Sequence, residues 1–176
     1  MTRLFILRTT FILFLTLSIN FASGQNAFTA FISQKGNLYF RVTKPGLYFN
    51  TSQKGDITEY GSLSNGAISY DYRGRVEKVG TFSVYYDLIG RINKIGTTNI
   101  SYDFSARVDK IGTTGISYDY GGNVNNIGGQ RVSYNYSGKV ERIGSATISY
   151  NYSGNVDKIN DKEGFVLFRL KISSDE

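Results

Sequence analysis

A tyrosine recurs at every sixteenth position from residue 70 to residue 150: Tyr70, Tyr86, Tyr102, Tyr118, Tyr134 and Tyr150. Each is followed by Asp71, Asp87, Asp103, Asp119, Asn135 or Asn151. Branched aliphatics keep the same interval at Val76, Ile92, Val108, Val124, Val140 and Val156, and again at Val79, Ile95, Ile111, Ile127, Ile143 and Ile159. Five consecutive intervals of 16 without a gap make this a tandem array. Such a chain folds as one short supersecondary unit used repeatedly, each copy burying its apolar face against its neighbours.

One unit reads Ile68-Ser-Tyr-Asp-Tyr-Arg-Gly-Arg-Val-Glu-Lys-Val79. Asp71 to Gly74 is D-x-x-G: the first residue of a type I turn, whose side chain bonds its own backbone two residues on, and a fourth residue able to take positive φ. The pattern predicts a hairpin loop closed by a G1 bulge. Ala106 stands where the other units have glycine, so mild strain is expected there. Strands over 67–71 and 75–79, with loops at 72–74 and 80–82, fill one period. In that register Asp71 faces Arg75, Tyr70 faces Val76 and Ser69 faces Glu77. Tyr70, Ile68 and Val76 then share an apolar face, and Ser69, Asp71, Arg75 and Glu77 a polar one.

A parallel β-solenoid with 16-residue coils is the alternative. It would stack Lys78, Lys94 and Lys110, and Arg75, Arg91 and Arg107, at about 4.8 Å. In a meander the same residues lie two strands apart, about 10 Å, where salt screens exposed charges. The charge pattern and the turns favour the meander.

The motif extends upstream as Ser33-Gln-Lys-Gly36 and Ser52-Gln-Lys-Gly55, with three extra residues per unit placed in longer loops at Thr43–Gly46 and Ser62–Gly66. Downstream, Asp161-Lys-Glu-Gly164 turns into a last strand over 165–172. The expected organisation is a signal segment over 1–24, divergent hairpins over 25–67, six 16-residue units over 68–160 and a capping strand within 161–176. The fold class is all-β: an antiparallel meander of about eight tandem hairpins, a single sheet that coils or rolls. Its Tyr/Ile/Val face must coil on itself, close, or pair with a second chain, so self-association is among the expected outcomes.

Residues 1–24 carry Arg3 and Arg8, an apolar run from Phe11 to Ile19, and Ala22-Ser23-Gly24. That order is the signature of a cleaved export signal. The run is short of the roughly 20 residues of a spanning helix, and the five-residue strands are short of the roughly 9–11 of a membrane barrel. An exported product in the periplasm, at the cell surface or outside the cell is expected, with no transmembrane span.

The repeat string Tyr70-Asp71-x-x-Gly74-Arg75-Val76 resembles the YD repeat of the RHS family, Y-D-x-x-G-R-[LVI]. Tyr86-Asp87-x-x-Gly90-Arg91-Ile92 matches as fully; Tyr102-Asp103-x-x-Ala106-Arg107-Val108 departs at the glycine. The last three units carry Asn123, Lys139 and Asn155 where the family has arginine, and the period is shorter than the family's. The resemblance covers 68–159. It implies antiparallel hairpin sheets on bacterial surface and toxin proteins that encapsulate or bind rather than catalyse.

The chain has no cysteine and no histidine. That excludes disulfides, thiolate or imidazole metal sites, cysteine nucleophiles and Ser-His-Asp triads, so no catalytic residue, metal ligand or cofactor is assigned. The Asp/Asn column is read as turn chemistry rather than a cation site. The basic column, Lys78, Lys94, Lys110, Arg142 and Lys158, is read as a solvated stripe rather than a nucleic-acid or membrane contact. One column suits ligand contact: Tyr72, Phe104, Tyr120, Tyr136 and Tyr152, with Leu88 in the second unit, in the hairpin loops. These rings either fold over the sheet edge into the core or stand free to stack on sugar rings. The expected function is an exported, non-catalytic repeat scaffold or binding module of a bacterial envelope, its partner an envelope glycan or surface protein. The alternative is a carbohydrate-recognition module that uses the loop aromatics.

Overall fold

A computed structural model describes residues 28–164 and 166–169. The expected signal segment lies outside the described residues. The described residues form seventeen strands and no helix. Twelve strands, from Ile68–Tyr70 to Val156–Asn160, form one antiparallel meander in chain order. It comprises six hairpins. Two more, over Thr29–Lys44 and Leu47–Ser62, form a five-stranded sheet with the closing strand Val166–Arg169, which runs parallel beside Thr29–Ser33. The meander of eight hairpins is thus present, with its ladder interrupted over residues 63–67 so that it is laid down as two sheets.

The second sheet answers the question of the bare apolar face. Along Leu38–Lys44 and Leu47–Ser52, alternate residues Leu38, Phe40, Val42, Leu47 and Phe49 are buried. They join Val84, Ile95, Ile100, Val108, Ile111 and their equivalents in one hydrophobic cluster. The cover is bonded as well as packed. The turn carbonyls of Gln34, Gln53 and Gly55 accept the backbone N–H groups of Val156, Val124 and Val108 at 2.8–3.1 Å. Gly36 and Gly55 lie so close to the rings of Tyr150 and Tyr118 that a Cβ would fall 2.9 Å or less from them. The Ser-x-x-Gly turns are needed there both for their positive φ and for the missing side chain.

Within the meander one unit is strand Phe82–Tyr86, turn 87–91, strand Ile92–Ile95 and two-residue loop 96–97. Three features of the expected register change. The G-T loop has two residues rather than three, pairing Ile95 with Thr98. Tyr70 pairs with Val76 as expected, but Ser69 pairs with Lys78, because Glu77 is an extra residue in its strand. The same shift recurs in all six hairpins. Such a bulge lets two residues oppose one and flips the parity beyond it. Val76 and Val79, three apart, therefore both face inward, and Lys78 faces solvent. Third, the three extra residues at Thr43–Gly46 lengthen the strands around a tight turn at Pro45-Gly46 instead of forming a longer loop. At the C-terminus, the last strand is described over Val166–Arg169 of the expected 165–172.

Candidate binding edge

The turns that open with Asp71, Asp87, Asp103, Asp119, Asn135 and Asn151 all lie at one end of the hairpins, so the meander has a long edge made of six similar tips. Each turn builds itself. In Asp71-Tyr-Arg-Gly74-Arg75, Asp71 Oδ1 accepts the N–H groups of Arg73 and Arg75 at 2.8 and 2.9 Å, and Oδ2 accepts Arg75 Nε at 2.9 Å. Asp87 and Asp103 repeat the arrangement. The three Asp–Arg pairs close at 2.6–2.8 Å. Partial burial pushes these carboxyls up, but the backbone and guanidinium hydrogen bonds outweigh it and hold them below the ordinary aspartate value. Asn135 and Asn151 supply the same acceptor to Lys139 and Asn155, so the column is turn chemistry, as read from the sequence. Ala106 takes φ 63°, the left-handed conformation its glycine counterparts adopt.

The arginine does a second job. Arg75, Arg91 and Arg107 stack over Tyr86, Tyr102 and Tyr118 of the following unit at 4.1–4.4 Å from the ring centroids, and Lys139 covers Tyr150. Each of these tyrosines also donates its hydroxyl back to the preceding unit. Tyr86 bonds the Val76 carbonyl, Tyr102 that of Ile92, Tyr134 that of Val124 and Tyr150 that of Val140, at 2.7–2.9 Å, and Tyr118 reaches Val108 likewise. Successive hairpins pair through only two residue pairs beside the G-T loop, such as Lys94 with Asn99 and Ile95 with Thr98. Towards the tips the tyrosine ring and hydroxyl replace the missing ladder. Burial pushes the phenols of Tyr102, Tyr118, Tyr134 and Tyr150 up, that of Tyr150 to about 12. The ladder tyrosines are half-buried rather than enclosed, and Tyr70, with no unit before it, is 61% exposed.

The other aromatic column is free. Phe104, Tyr120, Tyr136 and Tyr152 are 111–114% exposed, Tyr72 88%, and Leu88 stands out in the same way. Of the two sequence alternatives, folding over the sheet edge is thereby excluded. Arg73 lies against Tyr72 and hydrogen-bonds its hydroxyl. Because the backbone ladder between successive hairpins is confined to their far ends, clefts open on the sheet surface towards the tips. One, of about 730 Å³, runs between Asp71, Arg73 and Glu77 on one hairpin and Tyr85, Asp87 and Leu88 on the next. Another depression lies on a single hairpin, lined by Tyr134, Asn135, Tyr136 and Glu141. A third lies between Asn125 and Asn126 on one side and Arg131 and Ser133 on the other. The clefts were missed in the sequence, since they follow from the tyrosine wedge and the bulge.

On the second sheet, Arg41 lies between the rings of Phe31 and Tyr48 and donates to Asn50, which with Tyr48 donates to Glu59. The Glu59 hydrogen bond raises the Tyr48 phenol above its usual value. This network braces the sheet's outer surface. Among the described residues no group of three or more acidic, histidine or cysteine side chains is placed to hold a metal ion, and no helix is long and apolar enough to cross a membrane. A scan against protein-family models finds no family that matches this chain, and a search of curated proteins finds no match either.

Proposed function

We propose that this chain is an exported, non-catalytic binding module of a cell envelope or surface, a repeat scaffold whose row of hairpin-tip aromatics stacks on the sugar rings of a glycan. The observation that carries the reading is the full exposure of Phe104, Tyr120, Tyr136 and Tyr152, at one position in successive units, with nothing in the fold depending on them. A flat apolar ring with a polar rim matches the apolar face of a pyranose, as aromatic platforms match base faces in single-strand binders. The rest of the unit supplies rigidity, because the turn, the Asp–Arg pair and the Tyr hydroxyl each fix the position of the tip. Export rests on the order of charge, apolar run and small residues in 1–24. The Tyr-Asp-x-x-Gly-Arg strings support a place beside the YD repeats, as a variant of shorter period.

The test is retention of the purified mature protein on insoluble and immobilised neutral polysaccharides, beside Phe104→Ala/Tyr120→Ala. Retention by the parent and loss in the variant, with unchanged circular dichroism, is the expected result. Equal retention of both proteins would remove the tips from the site.

A further inference from the structure

We infer that the ligand is a neutral, linear polysaccharide lying across successive hairpin tips, stacked on one aromatic after another, with hydroxyls of the intervening sugars entering the inter-hairpin clefts. This rests on the glycan reading above and adds the form and charge of the ligand.

The form follows from the placement of the rings. Neighbouring tips are two strands apart, about 10 Å, and farther where the tyrosine wedge splays the hairpins. A single sugar ring cannot touch two of them. Phe104, Tyr120, Tyr136 and Tyr152 form an unbroken run of four, each on a turn of the same backbone design. Four like sites at every sixteenth residue suit a ligand that itself repeats.

The charge follows from the neighbours of the rings. Along the tip edge Arg75, Arg91 and Arg107 are committed to Asp71, Asp87 and Asp103 at 2.6–2.8 Å, Arg73 lies on Tyr72 with its Nε on the Tyr72 hydroxyl, and Lys54 and Lys139 are turned onto the Gly121 and Gly154 carbonyls. The clefts beside the tips contribute further carboxylates, Glu77 in one and Glu141 in another. A single-stranded nucleic acid needs an uninterrupted positive track for its phosphates. An anionic lipid surface would desolvate these carboxylates without pairing them. Sugar hydroxyls, by contrast, donate to Asp, Glu and Asn oxygens and accept from the amides and hydroxyls of Asn125, Asn126 and Ser133 in the neighbouring cleft.

A multi-tip ligand has a measurable signature. Once a chain reaches a second tip, that contact becomes intramolecular, and avidity gains of about 10²–10⁴ over one contact are ordinary. Calorimetric titration of the mature protein with graded oligosaccharides, prepared from whichever neutral polysaccharide (β-glucan, xylan, mannan or starch) retains it, reads this directly. The expected result is a rise in affinity of at least about 100-fold between the disaccharide and an oligomer long enough to span two tips. Tyr136→Ala, which interrupts the run, should weaken the long oligomers about 10-fold or more while leaving the disaccharide constant of the remaining tips unchanged. Equal affinity for disaccharide and long oligomer would overturn the linear arrangement and leave the glycan reading standing. Retention on sulfated dextran with none on neutral polysaccharide would overturn the neutral ligand and leave the glycan reading standing, whereas retention on phosphatidylglycerol vesicles alone, or on none of them, would overturn both.

Discussion

Tyr102 and Phe104 sit two residues apart, and the structure assigns them opposite roles. Tyr102→Ala removes a half-buried ring, a hydroxyl bonded to the Ile92 carbonyl at 2.7 Å and a surface on which Arg91 stacks at 4.2 Å. An aromatic of this size at half burial hides about 100 Å² from water, or about 2.5 kcal/mol at 25 cal/mol/Å². The hydrogen bond contributes about 1 kcal/mol, and the cation–π contact about 0.5–1. The loss should therefore be about 4 kcal/mol, a large share of the stability of any domain. Phe104→Ala removes a ring that is 113% exposed, and should change stability by less than about 0.5 kcal/mol. Tyr102→Phe isolates the hydroxyl and should cost about 1 kcal/mol. Urea denaturation at constant pH measures all three, with the slope checked for two-state behaviour. Equal and large losses for the two alanine variants would refute the division between a packed and a free column, and with it the binding edge.

Other expected outcomes follow from single groups. Ala106→Gly should stabilise the protein by about 0.5–1 kcal/mol in thermal melts, since the left-handed φ of 63° costs an L-residue about 1–2 kcal/mol, partly offset by the freer unfolded glycine; a lower melting temperature would contradict it. The phenol of Tyr150 is raised to about 12 in the fold, so its contribution is complete below pH 10 and is lost as pH rises from about 10 to 12; alkaline titration of unfolding should show stability falling in that window. The carboxyls of Asp71, Asp87 and Asp103 are held low, so their contribution is present above the ordinary aspartate value and disappears as pH falls through the depressed values. Asp87→Asn should flatten that acid limb, and an unchanged limb would show that the turn pairs are not what titrates.

Much of the fold was legible because period, turn and face are local properties. The Asp-x-x-Gly turns, the Tyr70–Val76 pairing, the upstream Ser-x-x-Gly hairpins and the strained Ala106 all follow from spacing and residue chemistry. The bulge at Glu77 was not legible, since one extra residue within a strand leaves the 16-residue period unchanged. Its trace was the basic column, which a regular ladder would have placed on the apolar face. The covering sheet was half visible: Leu38, Phe40 and Val42 alternate clearly, but which surface they bury against depends on the chain turning back over 63–67. The hydroxyl ladder had an overlooked signal. The packed column is tyrosine in all six units, whereas the loop column runs Tyr, Leu, Phe, Tyr, Tyr, Tyr. A position that never substitutes phenylalanine is using its oxygen; a position that does is using its ring face or nothing. At the candidate edge the tip residues could be found from sequence, and the clefts beside them could not.

The separation of a structural from a binding tyrosine column is most directly tested by mapping tyrosine nitration in the folded mature protein by mass spectrometry, with and without a retained polysaccharide. Nitration needs an accessible phenolate. Tyr120, Tyr136 and Tyr152 are fully exposed, whereas Tyr118, Tyr134 and Tyr150 are half-buried, hydrogen-bonded and shifted to higher pKa by burial. The account predicts rapid modification of the first three, slow modification of the second three, and protection of the first three alone when the polysaccharide is present. Comparable rates in both columns, or a polysaccharide that leaves the tips unprotected, would contradict it.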